Sequence, residues 1–365
     1  MRLIFDIGHP AQVHFHKNTI KKLQEHGHDV LVSARDKDVL LELLSHYNIE
    51  YRVISKQKIG FTGLSIELFQ RIRNLSELIR AFKPDLICGP GETVALAGKL
   101  TSTPVILFND SEPVPINKIL TYPFVDIICT PSTFRNDLGQ KQIRYEGYKE
   151  LAYLHPNYFI PDPSILKELQ IDEKDPYTIV HFVAWNAQHD AGHKGLGNKE
   201  EIVKELEKYS NVLISSEAAL PKPLRKYQIS IPPEKMHDAL YYAKILLCDS
   251  QTMTTEAAVL GTPAIRCNSF VGSNDMGNFI ELEQKYGLIY NYSDEHIALS
   301  KATELLQQPK IKEAWVQKRD NLLKDKIDVT AFLVWLIENY PQSSAEIKEH
   351  PGVQYSCTHA PDDES

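Results

Sequence analysis

Short apolar runs alternate with segments of helical periodicity along the first half of the chain. The run RLIFDI at residues 2–7 is typical of a buried strand, and residues 14–26 carry apolar side chains at roughly helical spacing before Gly27. A glycine there closes a helix in the left-handed conformation. The alternation continues through DVLVSAR, DKDVLLELLSHY, EYRVI, LSIELFQRIRNLSELIRAF, DLICG, VILFN and DIICT. This pattern predicts a parallel sheet with helices on both faces.

The alternation stops at a proline-rich stretch, HPNYFIPDPSILKEL, and then begins again. The second series reads YTIVHFVAW, a helix at 198–209, NVLISS, a helix at 233–243, KILLCD, a helix at 251–260 and TPAIRC. Two such arrays joined by a proline-rich linker predict an α/β protein with two Rossmann-like domains and parallel sheets facing across a cleft.

The expected domain boundaries follow from these breaks. An N-terminal domain is predicted at 1–160, on the acceptor and catalytic side, and a C-terminal nucleotide-sugar-binding domain at 161–328. The apolar segment VTAFLVWLIENY predicts a docking helix at 329–340. Residues 341–365 have no hydrophobic period, which predicts a tail without regular structure.

Composition narrows the class of function. Hydrophobic residues make up 42% of the 365 residues and charged residues 24%, which suits a packed core. The net charge of -8 argues against general nucleic-acid binding, because phosphate contacts need a basic surface. Five scattered cysteines, no leader-like start and no long apolar window favour a cytoplasmic protein without a membrane span. Peripheral membrane association stays open.

The stretch CDSQTMTTEAAVLGTPAI at 248–265 carries the most chemistry. Asp249 and Ser250 follow a buried run, at the strand end where open α/β sheets bind ligands. The next helix would aim its N–H groups and positive dipole end there, which suits phosphate. Thr252 adds a hydroxyl, and Glu256 could accept hydrogen bonds from two ribose hydroxyls. The alternative is a plain helix cap with a surface glutamate.

This stretch resembles the D-S-G-G-x-x-x-E-A-x-x-L-G-x-P element of UDP-GlcNAc 2-epimerases, and a related form occurs in GT-B glycosyltransferases. Residues 1–340 resemble a bacterial and archaeal family of two-domain, glycosyltransferase-like proteins that begin with D-x-x-x-P-x-x-V-H-F. The resemblance implies a GT-B-like fold and assigns the diphosphate to Ser250, Gln251 and Thr252 and the ribose to Glu256. Gln251 and Thr252 replace both glycines of the element.

Two further segments join this donor site by the same resemblance. The loop before the strand, SIPPEKMHDALYYA, would place Ile231 and Met236 near the base and His237 near the diphosphate. The glycine-rich stretch AWNAQHDAGHKGLGNK could bring Lys194 to the leaving diphosphate, a role that metals fill elsewhere. Asn186, His189 and His193 lie in that stretch, and its glycines argue against a helical zinc site.

The first strand–helix turn, GHPAQVHFHK, carries three histidines. In GT-B proteins this loop lines the cleft opposite the donor, so His14 is a candidate base or phosphate contact. His14 and His16 lie two residues apart and diverge on a helix, which argues against a metal. The alternative is a capping or packing role for these rings.

Two glutamates follow other strand ends of the first domain. In GPGETVALAGKL, Glu92 stands where the G-D-T turn of the epimerases carries a catalytic acid. In FNDSEPVPINK, Glu112 is the nearest match to their catalytic glutamate, beside Asn109 and Asp110. Clustered carboxylates can raise one another's pKa into the range of a base. The alternatives are a helix-dipole glutamate and a polar turn.

We therefore expect a metal-independent glycosyltransferase that needs no cofactor. It would move a sugar from a nucleotide-diphosphate donor, most simply a UDP-sugar, to a glycan or lipid-linked acceptor, as in polysaccharide biosynthesis. The alternatives are a UDP-GlcNAc 2-epimerase-like enzyme and a non-catalytic sensor. In KQKIGFTG, Ile59 and Phe61 either face a lipid acceptor or lie in the core under a loop.

Overall fold

A computed structural model describes residues 1–110, 112, 117–184 and 195–356, apart from the side chains of Phe61, Asn117 and Lys118. The chain divides into two compact units. The first unit comprises Met1–Tyr153 and the chain from Lys326 onward, and the second comprises Leu154–Asp325. The sequence places these boundaries at 160/161 and 328/329.

The strands of the described residues form two sheets. They are β1 (Arg2–Ile7), β2 (Asp29–Asp36), β3 (Tyr51–Lys56), β4 (Leu86–Gly89), β5 (Val105–Phe108), β6 (Ile127–Pro131), β7 (Gln142–Tyr145), β8 (Tyr177–Phe182), β9 (Asn211–Ser216), β10 (Ile245–Cys248), β11 (Ala264–Cys267) and β12 (Ile289–Tyr292). The first unit holds the order β3-β2-β1-β4-β5-β6-β7 and the second unit the order β12-β11-β10-β8-β9. All neighbouring strands pair in parallel.

The helices connect these strands. They are α1 (Pro10–Glu25), α2 (Leu40–His46), α3 (Gly60–Phe82), α4 (Gly91–Thr101), α5 (Asn117–Leu120), α6 (Leu151–Leu154), α7 (Ile165–Glu168), α8 (Lys199–Leu206), α9 (Met236–Tyr242), α10 (Gln251–Leu260), α11 (Gly277–Gln284), α12 (Glu295–Leu306), α13 (Ile311–Asp325), α14 (Val329–Glu338), α15 (Gln342–Glu349) and α16 (Val353–Ser356). No helix in the described part of the chain is both long enough and apolar enough to cross a bilayer.

Helices cover both faces of the central strands, as in other parallel sheets. Leu3, Ile4 and Phe5 of β1 have no exposed surface, although their side chains alternate between the two faces. In the second unit the four residues of β10 and the four of β11 are buried. The continuous apolar runs of the sequence are therefore strands that are buried on both sides.

Each sheet has a point where the connections reverse direction. In the first unit β1 lies between β2 and β4. The chain adds β2 and β3 on one side of β1 and then adds β4 and the later strands on its other side. In the second unit β8 lies between β9 and β10. Ligands of open α/β sheets bind outside the carboxyl ends of the strands at such a point. The loops after β1 and β4, and after β8 and β10, are therefore the places to look for a site.

The predicted fold class, α/β with two Rossmann-like units and parallel sheets, is confirmed, but two edge strands and the C-terminal segment differ from the expectation. The sequence analysis did not predict β7 and β12. The expected unstructured tail contains α15 and α16. Ser343 and Ile347 of α15 are buried, and the Gln354 side chain accepts a hydrogen bond from the Glu146 backbone N–H at 2.7 Å. These contacts order a segment that lacks a helical period.

Candidate functional site

Helix α10 begins directly at the carboxyl end of β10. Ser250 caps it, because its Oγ accepts a hydrogen bond from the Met253 N–H at 3.3 Å. The Thr254 hydroxyl donates to the Ser250 carbonyl at 2.6 Å and tightens the first turn. Every residue of α10 from Met253 onward is buried, whereas Gln251 and Thr252 are half-buried. Most of the helix is therefore buried, and its first two residues reach the surface.

Asp249 fixes the geometry of the loop just before this tip. Its Oδ1 accepts a hydrogen bond from the Val183 N–H at 2.8 Å, which ties the end of β10 to the end of β8. Asn268, at the end of β11, donates its side-chain amide to the Asp249 carbonyl at 3.0 Å. A Cβ on Gly195 would collide with the Asp249 carboxylate, so only glycine fits there. Three strand ends are therefore joined through Asp249.

Glu256 and His237 form a buried pair behind the tip. His237 Nε2 lies 3.0 Å from Glu256 Oε1, and the two side chains are 6% and 8% exposed. Phe159 meets the His237 ring edge-on, with 6.3 Å between the ring centroids. The sequence analysis gave these residues separate roles, on the diphosphate and on the ribose. The structure brings them into direct contact, and it rules out the alternative of a surface glutamate.

Sequence reasoning missed three residues around this tip, namely Asn268, Asn278 and Arg266. Asn278 donates to the Thr255 hydroxyl at 3.3 Å, and its buried Oδ1 has no hydrogen-bond partner among the described residues. Arg266 is fully buried and its guanidinium stacks 3.6 Å from the Phe279 ring centroid. Asn268 could have been found, because it is the first polar residue after the run AIRC, as Asp249 is after ILLC.

Of the residues predicted to lie near the base, Ile231 precedes α9 and Met236 is the first residue of α9. Ile231 and Met236 are half-buried. Lys194, together with Asn186, His189 and His193, lies outside the described residues. Within 1–110, 112, 117–184 and 195–356, no three His, Cys, Asp or Glu side chains are grouped to hold a metal ion.

In the first unit the strand ends at the reversal point are packed tightly. Asp6 is fully buried and accepts hydrogen bonds from the Ser33 hydroxyl and from Arg71 Nη2, both at 2.7 Å. A Cβ on Gly89 would lie 2.9 Å from the Asp6 carbonyl, so β4 can approach β1 only with glycine there. Glu92 follows in the first turn of α4, half-buried and without a hydrogen-bond or ion-pair partner among the described residues.

The three histidines of the first turn occupy three different environments. His9 caps α1, and its Nδ1 accepts from the Ala11 N–H at 3.3 Å. His14 is 8% exposed and packs against the rings of Tyr47 and Tyr153, with centroid distances of 5.9 Å and 5.4 Å. Much of the environment of His14 is therefore that of a packed side chain, as the alternative prediction has it. The role of His14 as a base stays a prediction.

His16 lies deeper than His14, among aromatic rings. Its centroid is 5.2 Å from those of Phe5 and Phe108 and 4.6 Å from that of Phe15. Its buried Nδ1 has no partner within the described part of the chain. Burial lowers the pKa of His16 to about 3, so the ring is neutral at physiological pH. His16 is a core residue.

The carboxylates after β5 are bound to neighbouring groups rather than to each other. Asp110 forms an ion pair with Lys149 at 2.5 Å. Glu112 accepts a hydrogen bond from the Arg135 N–H at 2.7 Å and is half-buried. The Asn109 side chain donates to the Tyr122 hydroxyl at 2.7 Å. The catalytic role of Glu112 stays a prediction.

Comparison with known proteins gives a family and a group of structural relatives. The model of the family described as "Protein of unknown function (DUF354)" matches residues 1–324. An uncharacterized protein of Methanocaldococcus jannaschii is 30% identical over 277 residues, which cover 72% of this chain and 80% of that protein.

Several solved structures share the fold at low identity. The S. aureus MnaA–UDP co-structure has a TM-score of 0.67 at 14% identity, covering 94% of this chain and 97% of that one. The spinosyn forosaminyltransferase SpnP has a TM-score of 0.63 at 12% identity, covering 95% and 100%. The UDP-GlcNAc 2-epimerase from Neisseria meningitidis bound to UDP-GlcNAc has a TM-score of 0.59 at 17% identity, covering 89% and 100%. This likeness shows the architecture of glycosyltransferases and UDP-GlcNAc 2-epimerases.

Proposed function

This chain belongs to the family of proteins of unknown function DUF354, and from that membership and its fold we propose that it is a glycosyltransferase. It uses a nucleoside diphosphate sugar, most simply a UDP-sugar, and transfers the sugar to a glycan or lipid-linked acceptor. Two proteins of the same architecture have been solved with UDP or UDP-GlcNAc, which supports this donor class.

The tip of α10 is the observation that carries the proposal. It stands at the reversal point of the second sheet, and its first residues reach the surface while the rest of the helix is buried. The N–H groups of a first turn have no acceptor within the helix, and the helix dipole favours an anion there. A diphosphate on Gln251 and Thr252, beside the Ser250 hydroxyl, would satisfy these groups.

Glu256 is proposed to bind the ribose from behind that tip. A carboxylate has about four lone-pair sites, and the hydrogen bond to His237 occupies one of them. A carboxylate accepts several hydrogen bonds at once, and we assign those from the 2′ and 3′ hydroxyls of a ribose to this one. His237 would then act as a positioning residue that holds the carboxylate in one orientation, and Ile231 would contact the base.

The chemical step would use charge stabilisation at the donor and a base at the acceptor. As the sugar leaves, negative charge builds on the diphosphate, where the α10 tip and Lys194 would stabilise it. A metal would then not be required. The acceptor hydroxyl must lose a proton, and His14 and Glu92 are the candidates for that base.

One observation favours a second candidate, a UDP-GlcNAc 2-epimerase-like reaction. Glu92 is half-buried at the reversal point of the first sheet and has no partner among the described residues. A carboxylate held in this way can take and return a proton on a bound sugar. Glu112 would be its counterpart in that reaction, and no acceptor would be needed.

A panel of UDP-, GDP-, CMP- and dTDP-sugars, with and without oligosaccharide or lipid-linked acceptors, tests the two reactions. Nucleotide release that depends on an acceptor supports transfer, and a changed sugar without an acceptor supports epimerisation. Nucleotide binding without either product contradicts both reactions. The Glu256→Ala variant should bind the active nucleotide about tenfold more weakly.

The matched control is Glu304→Ala in the same unit. Glu304 is exposed and pairs with Lys301, so this variant should bind nucleotide like the wild type. Equal affinity in wild type and Glu256→Ala would remove the ribose assignment, whichever reaction the panel detects.

A further inference from the structure

The first half of α3 presents apolar side chains to solvent. Ile59, just before the helix, is 93% exposed, and Leu64, Ile66 and Phe69 are 38%, 57% and 77% exposed. Leu64 lies on the opposite side of the helix from Ile66, so we call Ile59, Ile66 and Phe69 the α3 apolar patch. Ile66 and Phe69 lie three residues apart, so they share one helix face. The alternative that this segment lies in the core under a loop is wrong for Ile59.

The second half of α3 buries its apolar side chains. Leu75, Leu78 and Ile79 pack into the core beside β1 and β4, and their exposures are 0%, 8% and 2%. Exposed single apolar residues are common, whereas neighbouring apolar side chains exposed together are characteristic of a binding surface. The fold does not need the α3 apolar patch to bury its core.

The α3 apolar patch is held rigidly. Glu67, in the middle of this segment, is buried and accepts hydrogen bonds from Arg35 at 2.5 Å and 2.8 Å. It also accepts from the Lys58 N–H at 2.9 Å and the Ser55 hydroxyl at 3.2 Å. Burial alone would raise the pKa of Glu67, but these hydrogen bonds and the Arg35 charge outweigh it and lower the pKa. A preorganised surface loses little entropy on binding.

The surroundings of the patch are basic in a chain that is acidic as a whole. Residues 51–76 contain five Lys and Arg, and their one carboxylate is the buried Glu67. One of the five, Arg71, pairs with the buried Asp6 at 2.7 Å and adds no charge to the surface. Of the exposed cations, Lys56 lies 3.7 Å from Asp36 and Arg73 lies 2.9 Å from Glu77. Exposed ion pairs of this kind are weak, so these cations remain available to an anionic surface, which attracts them.

The size and shape of the patch favour a bilayer over a second copy of the chain. A stable dimer buries about 800 Å² on each partner, and the three side chains of the patch supply only part of that. Side chains as exposed as Ile59 and Phe69 project from the surface, so a protein partner would need a matching recess. A lipid headgroup layer deforms around such side chains.

We propose that the α3 apolar patch inserts into the interfacial zone of a phospholipid bilayer, with Lys56 and Lys58 beside anionic headgroups. This goes beyond the proposed transfer reaction, and it requires neither nucleotide nor acceptor. The full-length protein would bind membranes peripherally through its first unit.

Flotation with vesicles of phosphatidylcholine, with or without phosphatidylglycerol, tests the proposal. The wild type should float with the phosphatidylglycerol vesicles, less with phosphatidylcholine alone, and less again in high salt. The double variant Ile66→Ser/Phe69→Ser should bind about tenfold more weakly. Phe69→Leu should retain binding, because it keeps an apolar side chain at the same place.

The matched control is Ile160→Ser/Ile297→Ser, two apolar residues of the second unit that are 86% and 55% exposed. It should float like the wild type. Equal flotation of the wild type and the Ile66→Ser/Phe69→Ser variant would overturn the proposal. So would a dimer in sedimentation velocity that this variant dissociates, without vesicle binding. UDP binding should be unchanged in this variant, which separates the outcome from that of the proposed function.

Discussion

At the scale of single residues, the buried contact between Glu256 and His237 decides what the second unit can bind. A carboxylate that is 8% exposed is costly to bury unless its lone pairs are used. His237 provides one hydrogen bond, and the ribose of a nucleotide would provide two more. The Glu256–His237 pair should therefore contribute both to the stability of the ligand-free protein and to its affinity for the nucleotide.

A double-mutant cycle on this pair measures the coupling. Each single variant, Glu256→Ala and His237→Ala, removes one side of this buried hydrogen bond and should lower the free energy of unfolding by about 1–3 kcal/mol. The double variant should cost less than the sum of the two. Urea unfolding of the four proteins measures these values, and strictly additive losses would show that the contact contributes nothing.

His16 should make the protein sensitive to acid. Its folded-state pKa is about 3, below the ordinary value of 6.5, so between these values the unfolded chain binds the extra proton. Stability therefore falls as pH falls through this window, and His16 contributes nothing above it. At about pH 5 the loss should be about 2 kcal/mol.

The variant His16→Phe removes that proton site while keeping a ring among Phe5, Phe15 and Phe108. Its free energy of unfolding should fall less than that of the wild type between about pH 7.5 and about pH 5. Parallel losses in the two proteins would show that His16 is not the group that titrates.

At the scale of elements, the start of α10 combines a helix cap with the proposed anion site. Ser250 provides the cap, and an aspartate would cap as well. The variant Ser250→Asp should therefore keep the stability of the wild type. It should weaken UDP binding by at least about tenfold, because its charge would stand where the diphosphate binds.

The control for this exchange is Asp294→Ser, which makes the opposite change at the cap of α12. Titration calorimetry with UDP and thermal unfolding should show no change in affinity or stability for it. Unchanged affinity in Ser250→Asp would place the diphosphate elsewhere.

Local sequence patterns predict buried strands and the helices that follow them well. The run ILLC followed by Asp249 and Ser250 predicted both the strand and the helix start, and α10 spans the predicted 251–260. The edge strands β7 and β12 were not predicted, because their sequences QIRY and IYNY mix polar and apolar residues. Both strands are partly exposed, so they lack the continuous apolar run of a central strand.

Contacts between distant residues are not visible in such patterns. Nothing local links His237 to Glu256, or Asn268 to Asp249, because the sheet order brings these residues together. The partners of Asp110 and Glu112 were not predicted for the same reason, since Lys149 and Arg135 come from later in the chain. The sequence thus indicated which strand ends carry chemistry but not which side chains meet there.

At the scale of the whole molecule, the first unit is discontinuous. The chain leaves it after Tyr153 and returns at Lys326. Helix α14 then packs beside α1, with Val329, Phe332, Leu333 and Leu336 fully buried. The first unit therefore needs the end of the chain to complete its core.

Truncation tests this dependence. Ending the chain after Asp325 removes α14, and the lost burial of its apolar side chains should cost about 6–12 kcal/mol, comparable with the stability of a domain. Calorimetry should then show the melting transition of the second unit alone. Ending after Tyr340 keeps α14 and should cost far less. Equal unfolding of both truncated proteins would contradict this role of α14.

The most direct measurement of the central claim is a crystal structure of the protein with bound UDP. The account predicts the two phosphates against the N–H groups of Gln251 and Thr252, and the ribose hydroxyls on the Glu256 carboxylate. Density for UDP at another place, with the start of α10 unoccupied, would contradict it.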